Sequence, residues 1–322
     1  MQRINLMLRC VFVGLLAMAC FAVSPALAQQ KGSSPEKVQT KKVRVNDVTL
    51  NYIERGKGDP VVFVHGTVGD YRTWDGQVEA FSKKYRVISY SRRYHYPNPW
   101  PQDASSFSVT VHAKDLVAFI QALKLGRVHL VGHSFGAFIA LLVARDNPEL
   151  IRSLTLGEPP IRSLTLGEPP VNSLLATTPQ GDSLLQNSVA TAIIPSGEAF
   201  QSGENEEGVR RFVNGVLGDS AYENLPPHVR AIMMDNIAEL KGAVMDKNLF
   251  PPFACEDARK VRVPTLLLDG ELSPKMFTLV QDILEECLPN KERATILAAS
   301  HGLEYENPQA FNERVLAFLA QH

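Results

Sequence analysis

Ser134 stands between two glycines in Gly132-His133-Ser134-Phe135-Gly136, a G-x-S-x-G pattern. The apolar run Val128 to Val131 predicts a strand ahead of it, and Ala137 to Ala144 predicts an apolar helix behind it. A serine on such a tight strand-to-helix turn is presented for attack, and flanking glycines remove the Cβ atoms that would collide there. A hydroxyl becomes a useful nucleophile only when a base takes its proton, which selects histidine. Of the eight histidines, His301 is best placed. It follows a strand predicted at Ala294 to Leu297, in Ala299-Ser300-His301-Gly302, and so falls at the same sheet edge as Ser134. His129 and His133 have ligand-like spacing but straddle a strand end, so they read as packing or pocket-wall residues. No closed metal-ligand cluster is visible, and neither a metal nor another cofactor is expected.

The elements that must position these residues follow a rhythm. Val43, Val45, Val48 and Leu50 flank Asn46-Asp47 in a hairpin-like pattern, and Pro60 to Val64 is a continuous apolar run suited to a strand covered on both faces. A helical stretch around Trp74 to Ser82, a strand at Arg86 to Tyr90 and a helix from about Val109 to Leu123 come next. The rhythm returns with a strand at Thr265 to Leu268, a helix across Phe277 to Leu284 and a closing helix from about Ala310 to Leu319. Such alternation predicts an α/β fold: a mostly parallel central sheet with helices on both faces.

Between Val171 and Phe250 the strand signal fades, with one amphipathic helix expected around Val229 to Leu240. The stretch reads as an inserted helical cap, because structureless loops of this size are rare in compact domains. The domain expectation is therefore a core of residues 41–170 and 251–322 with a cap of 171–250. Ile151 to Pro160 reads IRSLTLGEPP, and Ile161 to Pro170 repeats it without a change. This is either a recent tandem duplication or an artefact of cloning or sequence assembly, and it is too short and solitary for a solenoid.

Residues 1–28 read as a secretory signal: Arg3 and Arg9, an apolar run from Cys10 to Val23, and the small-x-small pattern Ala26-Leu27-Ala28. Residues 29–40 form a polar leader. Export to the periplasm or medium is expected, with no membrane anchor after cleavage, since the apolar run is shorter than the ~20 residues that span a bilayer. Cys255 and Cys287 would remain in a disulfide-permissive compartment, either paired or as separate buried thiols. The formal net charge of -1 gives no broad attraction to nucleic acid or anionic lipid. A small organic substrate is the expected partner.

Taken together, His65-Gly66-Thr67-Val68-Gly69, Gly132 to Gly136 and Ala299 to Gly302, in that order and at domain-scale spacing, resemble the cap-bearing α/β-hydrolase superfamily from about Lys41 onward. The resemblance implies an oxyanion hole from the backbone N–H groups of Phe135 and Thr67, with Val68 as a nearby substitute. Many relatives place an aspartate three residues past the glycine that ends the penultimate strand, but Ser273 fills that slot here. Other relatives carry the acid at the end of the strand after the nucleophile helix, which makes Glu158 or Glu168 the partner of His301. The short connection from Asp146 into the first repeat copy favours Glu158. Asp269 and Glu271 are outside candidates. Tyr94, His95 and Trp100 follow a strand end and either reach the site or form a surface loop, and Arg92-Arg93 reads as a solvated or structural pair.

The expected activity is hydrolysis of a carboxylic ester or lactone through an acyl-enzyme. Carbon–carbon bond hydrolysis and cofactor-free perhydrolysis are alternatives on the same fold, and a non-catalytic ligand-binding protein is the alternative of another class.

Overall fold

The computed structural model describes residues 39–100, 106–159, 174–175, 178–246 and 248–322. The signal reading, most of the polar leader and the second repeat copy with Glu168 lie outside the described residues.

Eight strands form one sheet: β1 (Lys41–Val45), β2 (Val48–Arg55), β3 (Pro60–Val64), β4 (Arg86–Tyr90), β5 (Val128–His133), β6 (Ile151–Gly157), β7 (Thr265–Gly270) and β8 (Lys291–Ile296). Their order is β1-β2-β4-β3-β5-β6-β7-β8. The β1–β2 and β2–β4 pairings are antiparallel, and the others are parallel. The apolar run of β3 divides cleanly between the two faces. Val62 and Val64 join the core on one side, Val61 and Phe63 the core on the other. Leu267 and its neighbours Leu266 and Leu268 split likewise on β7. This explains runs without polar alternation: a strand covered twice has no wet face.

One face is covered by α2 (Val109–Ala122) and α3 (Phe135–Asp146), with Leu116, Phe119 and Phe138 in its core. The other is covered by α1 (Asp75–Ser82), which brings Val78 and Phe81. Parallel strands and short connections bring the chain leaving β3, β5, β6 and β7 to one edge of the sheet, where ligands bind in such folds.

Between β6 and β7 the described residues form the helices α4 (Pro179–Ser188), α5 (Ile194–Gln201), α6 (Asn205–Leu217), α7 (Ala221–Asn224), α8 (Pro227–Asp235) and α9 (Ile237–Met245). The single helix expected over Val229 to Leu240 is instead two, broken at Asn236. Its side chain accepts from the Tyr96 N–H at 2.8 Å and donates to Asp70 Oδ2 at 2.8 Å, while also capping the Ile232 carbonyl of α8 at 2.8 Å. These helices carry a core of their own that includes Phe200, Val213, Tyr222 and Leu240, and Val68 from the loop after β3 packs into it.

After the insertion come α10 (Cys255–Ala258) and α11 (Lys275–Cys287), then α12 (Leu303–Glu306) and α13 (Pro308–Leu319) after β8. Cys255 and Cys287 form a disulfide with a Cα–Cα distance of 5.2 Å, which resolves their open pairing.

Candidate active site

Ser134 occupies the turn from β5 into α3 with φ 51° and ψ −125°. That conformation costs roughly 1–3 kcal/mol for a residue with a side chain, so the surrounding structure must impose it. It does so by close approach. A Cβ on Gly136 would fall 2.1 Å from the Val64 carbonyl oxygen, and one on Gly132 would fall 2.6 Å from the Gly136 oxygen. The Ser134 N–H donates to the Gly157 carbonyl at 2.8 Å, which ties the turn to the end of β6.

Glu158 follows directly, also in a left-handed conformation with φ 44°, and is fully buried. Its Oε2 accepts from His301 Nδ1 at 2.6 Å. Its Oε1 accepts from the Gly270 N–H at 2.9 Å and from the Ser273 hydroxyl. A carboxylate offers only acceptors, so Nδ1 of His301 carries the proton and the neutral ring's acceptor is Nε2. Phe277 stacks on the imidazole with ring centroids 3.9 Å apart and planes at 23°. Ser134 and His301 line one cavity of about 300 Å³.

Phe135 is the first residue of α3, and the first N–H groups of a helix have no partner within it. Thr67 lines the same cavity as Ser134, and a Cβ on Gly66 would come 3.0 Å from the Ser134 Cβ. The backbone after β3 therefore runs tightly past the serine. Val68, with φ 54°, packs its side chain into the core of the helical insertion.

Behind that loop lies a buried charged network. Arg92 is 1% exposed; its Nη2 donates to the Gly66 carbonyl at 3.0 Å and its Nε to the His65 carbonyl at 3.2 Å. His65, His95 and His112 surround it, and burial, then the positive charge of Arg92, pushes all three imidazoles below their ordinary pKa. The counterion comes from the insertion: Glu239 Oε1 lies 3.7 Å from Arg92 Nη1, and its Oε2 lies 3.3 Å from His95 Nε2. Burial would raise the Glu239 carboxyl, but His95 and Arg92 hold it below the usual range. Arg92 and Arg93 are thus structural but not solvated, Arg93 being paired with Asp115 and Asp47. Tyr94 packs against Trp100 and Phe107 rather than reaching the site, whereas His95 reaches the loop's rear.

His133 lines the cavity, as its pocket-wall reading implied, and its Nε2–H donates to the His301 carbonyl at 2.7 Å. Its Nδ1 lies 3.1 Å from Glu304 Oε1. Burial depresses the His133 pKa, so the ring is neutral and Nδ1 is an acceptor. Glu304 must then donate a proton, and burial pushes its pKa up to about 8. His129 is bonded to Ser153 Oγ at 2.7 Å, away from the chemistry. Asp269 pairs with Arg293 and Glu271 accepts from the Ala298 N–H, so neither outside candidate takes the place of Glu158.

Sequence reasoning missed Ser273, Phe277, Glu304 and the Arg92–Glu239 pair. Ser273 carried a signal, since it fills the slot where the acid was sought and failed to be the acid. Glu304, three residues past His301, carried no such signal.

A parallel sheet with a nucleophile-type turn, a paired histidine and carboxylate and free amides at one edge defines a hydrolase of the α/β class. The chain belongs to the alpha/beta hydrolase fold family, whose pattern it matches over residues 59–308. It is 32% identical over 115 residues to (E)-2-((N-methylformamido)methylene)succinate hydrolase of Acinetobacter baylyi, a match covering 34% of this chain and 41% of that protein. Epoxide hydrolase 2 of Caenorhabditis elegans is 30% identical over 120 residues, 37% of this chain and 34% of that one. The chain thus spans less than half the length of these curated relatives. A solved N-acyl homoserine lactone degrading enzyme is similar in fold, with a TM-score of 0.67 at 24% identity over 86% of this chain and 100% of that one.

Proposed function

We propose that this chain is an exported serine hydrolase that cleaves carboxylic esters or lactones through an acyl-enzyme. The single observation that carries the reading is the 2.6 Å bond from His301 Nδ1 to Glu158, which leaves Nε2 as the basic nitrogen in the cavity that Ser134 lines.

In this mechanism Ser134 Oγ adds to the substrate carbonyl carbon while its proton passes to His301 Nε2. The imidazolium so formed is stabilised by Glu158, itself fixed by Gly270 and Ser273. The carbonyl oxygen gains negative charge and meets the amides of Phe135 and Thr67. Losing one such donor typically raises a barrier by about 3 kcal/mol. The bond to the alcohol oxygen breaks, and that oxygen takes the proton from His301. Water then repeats the sequence, releasing the acid and restoring Ser134.

A serine at this turn disfavours epoxide opening, which in this family uses a carboxylate there to form an ester-linked alkyl intermediate. The helical insertion is read as a cap, since Phe212, Val229 and Met233 wall the cavity. Export is supported by the amino-terminal apolar run and by the Cys255–Cys287 bond, which suits an oxidising compartment. A kinetic screen of 4-nitrophenyl esters and simple lactones, with Ser134→Ala as blank, tests the reading. Turnover above that blank is expected, and none across both classes would overturn it.

A further inference from the structure

The space at Ser134 is divided in two. The larger chamber, about 300 Å³, is lined by His133, Ser134, His301 and Glu304, with Thr73, Asp75 and His228 also on its wall. The smaller, about 50 Å³, is lined by Ser134, Phe135, Ala243, Leu249, Met276 and Phe277 among others. Thr67, Ser134, Phe212 and Val216 border both, so the chambers meet at the serine and at two apolar side chains of α6. His301 lines only the larger chamber, and Phe135 only the smaller.

That asymmetry fixes which end of an ester goes where. The alcohol oxygen must take its proton from His301, so the alcohol portion lies in the chamber that His301 lines. The acyl chain leaves the same carbon in another direction, into the smaller chamber that Ser134 also lines. We infer that the smaller chamber is the acyl site, and that the enzyme takes esters of short, apolar acids with larger alcohols. The inference rests on the serine-esterase reading above. At about 50 Å³ against about 300 Å³, the acyl chamber is by far the smaller of the two, so the acid is the smaller portion of the ester. The acyl chamber's lining is mostly apolar and well buried, with Ala243 3% exposed and Phe277 2% exposed. The larger chamber, with polar groups from Asp75 and His228, accepts an alcohol bearing hydroxyl or similar groups.

The test is kcat/KM of the purified protein along 4-nitrophenyl acetate, butyrate, hexanoate, octanoate and laurate, with a parallel series of acetates of growing alcohols. We expect a maximum at acetate or butyrate and a fall of at least about tenfold by octanoate, because one misfitting methylene in a packed pocket alters rates by about 10–200-fold. The acetate series should tolerate large alcohols. Met276→Ala should move the optimum to a longer acid, and Ala243→Phe should suppress butyrate more than acetate. Turnover that rises through octanoate, or a profile that Met276→Ala leaves unmoved in a folded protein, overturns this assignment while keeping the esterase reading. Absence of turnover on every ester, with Ser134 also unlabelled by a fluorophosphonate, removes the esterase reading and this assignment together.

Discussion

Glu158 Oε2 and His301 Nδ1 meet at 2.6 Å although the two residues lie 143 positions apart in the chain. The bond is supported on its far side, where Gly270 and Ser273 occupy the other carboxylate oxygen. Glu158→Gln keeps the shape but offers an amide, which favours the wrong imidazole tautomer. We expect kcat to fall by about 10³–10⁴, as loss of the acid does in the Ser-His-Asp template. Ser273→Ala should cost far less, because Gly270 still donates. Glu168→Gln, run alongside, should have no comparable effect. Steady-state kinetics on a 4-nitrophenyl ester reads all three, and an active Glu158→Gln enzyme would contradict the assignment.

The Arg92–Glu239 pair links the loop after β4, and through the bonds of Arg92 the loop after β3, to α9 of the insertion, with both side chains almost wholly buried. Removing one member of a buried pair leaves an uncompensated charge, at a typical cost of about 3–5 kcal/mol. Glu239→Gln should therefore lower the unfolding temperature. It should also lower kcat, since Arg92 holds the Gly66 and His65 carbonyls beside the oxyanion donors. Thermal unfolding and kinetics on the same preparation test this, and unchanged values in both would refute it.

Glu304 should make stability depend on pH. Its carboxyl titrates near 4.5 when free and about 8 when folded, so between those values the folded state binds more protons than the unfolded one. Stability is then lost as pH rises through that window and levels above it, at about 1.4 kcal/mol per pKa unit. Glu304→Gln can still donate to His133 and does not titrate. Its unfolding temperature relative to the parent should climb from pH 5 to about 8. A difference that is flat with pH would show that Glu304 is not held neutral.

The Cys255–Cys287 bond closes a sequence separation of 32 residues. Loop-closure entropy for that span corresponds to about 3–4 kcal/mol. Reduction, or Cys255→Ser with Cys287→Ser, should lower the denaturant midpoint accordingly, which equilibrium unfolding with and without reductant would measure.

Much of the sheet was legible because the strands that carry it are doubly covered and so appear as unbroken apolar runs, as at Pro60 to Val64. Ser134 and His301 were legible because their neighbours fix a turn and a strand end. The acid was ambiguous for a physical reason: two identical decapeptides offer the same glutamate, and only the geometry after β6 places Glu158 against His301. The insertion was least legible. At Asn236 a tertiary demand for side-chain hydrogen bonds breaks a helix that periodicity alone would continue. The Arg92 network was hidden because burial of a charge depends on a counterion more than 140 positions away, which local pattern does not report.

The most direct test of the account is covalent labelling by a fluorophosphonate, read by intact mass and peptide mapping. A single adduct on Ser134 is expected, absent in Ser134→Ala and slowed by orders of magnitude in His301→Ala. Folded parent protein that stays unlabelled, or that carries the adduct on another residue, would contradict the claim that Ser134 is the activated nucleophile.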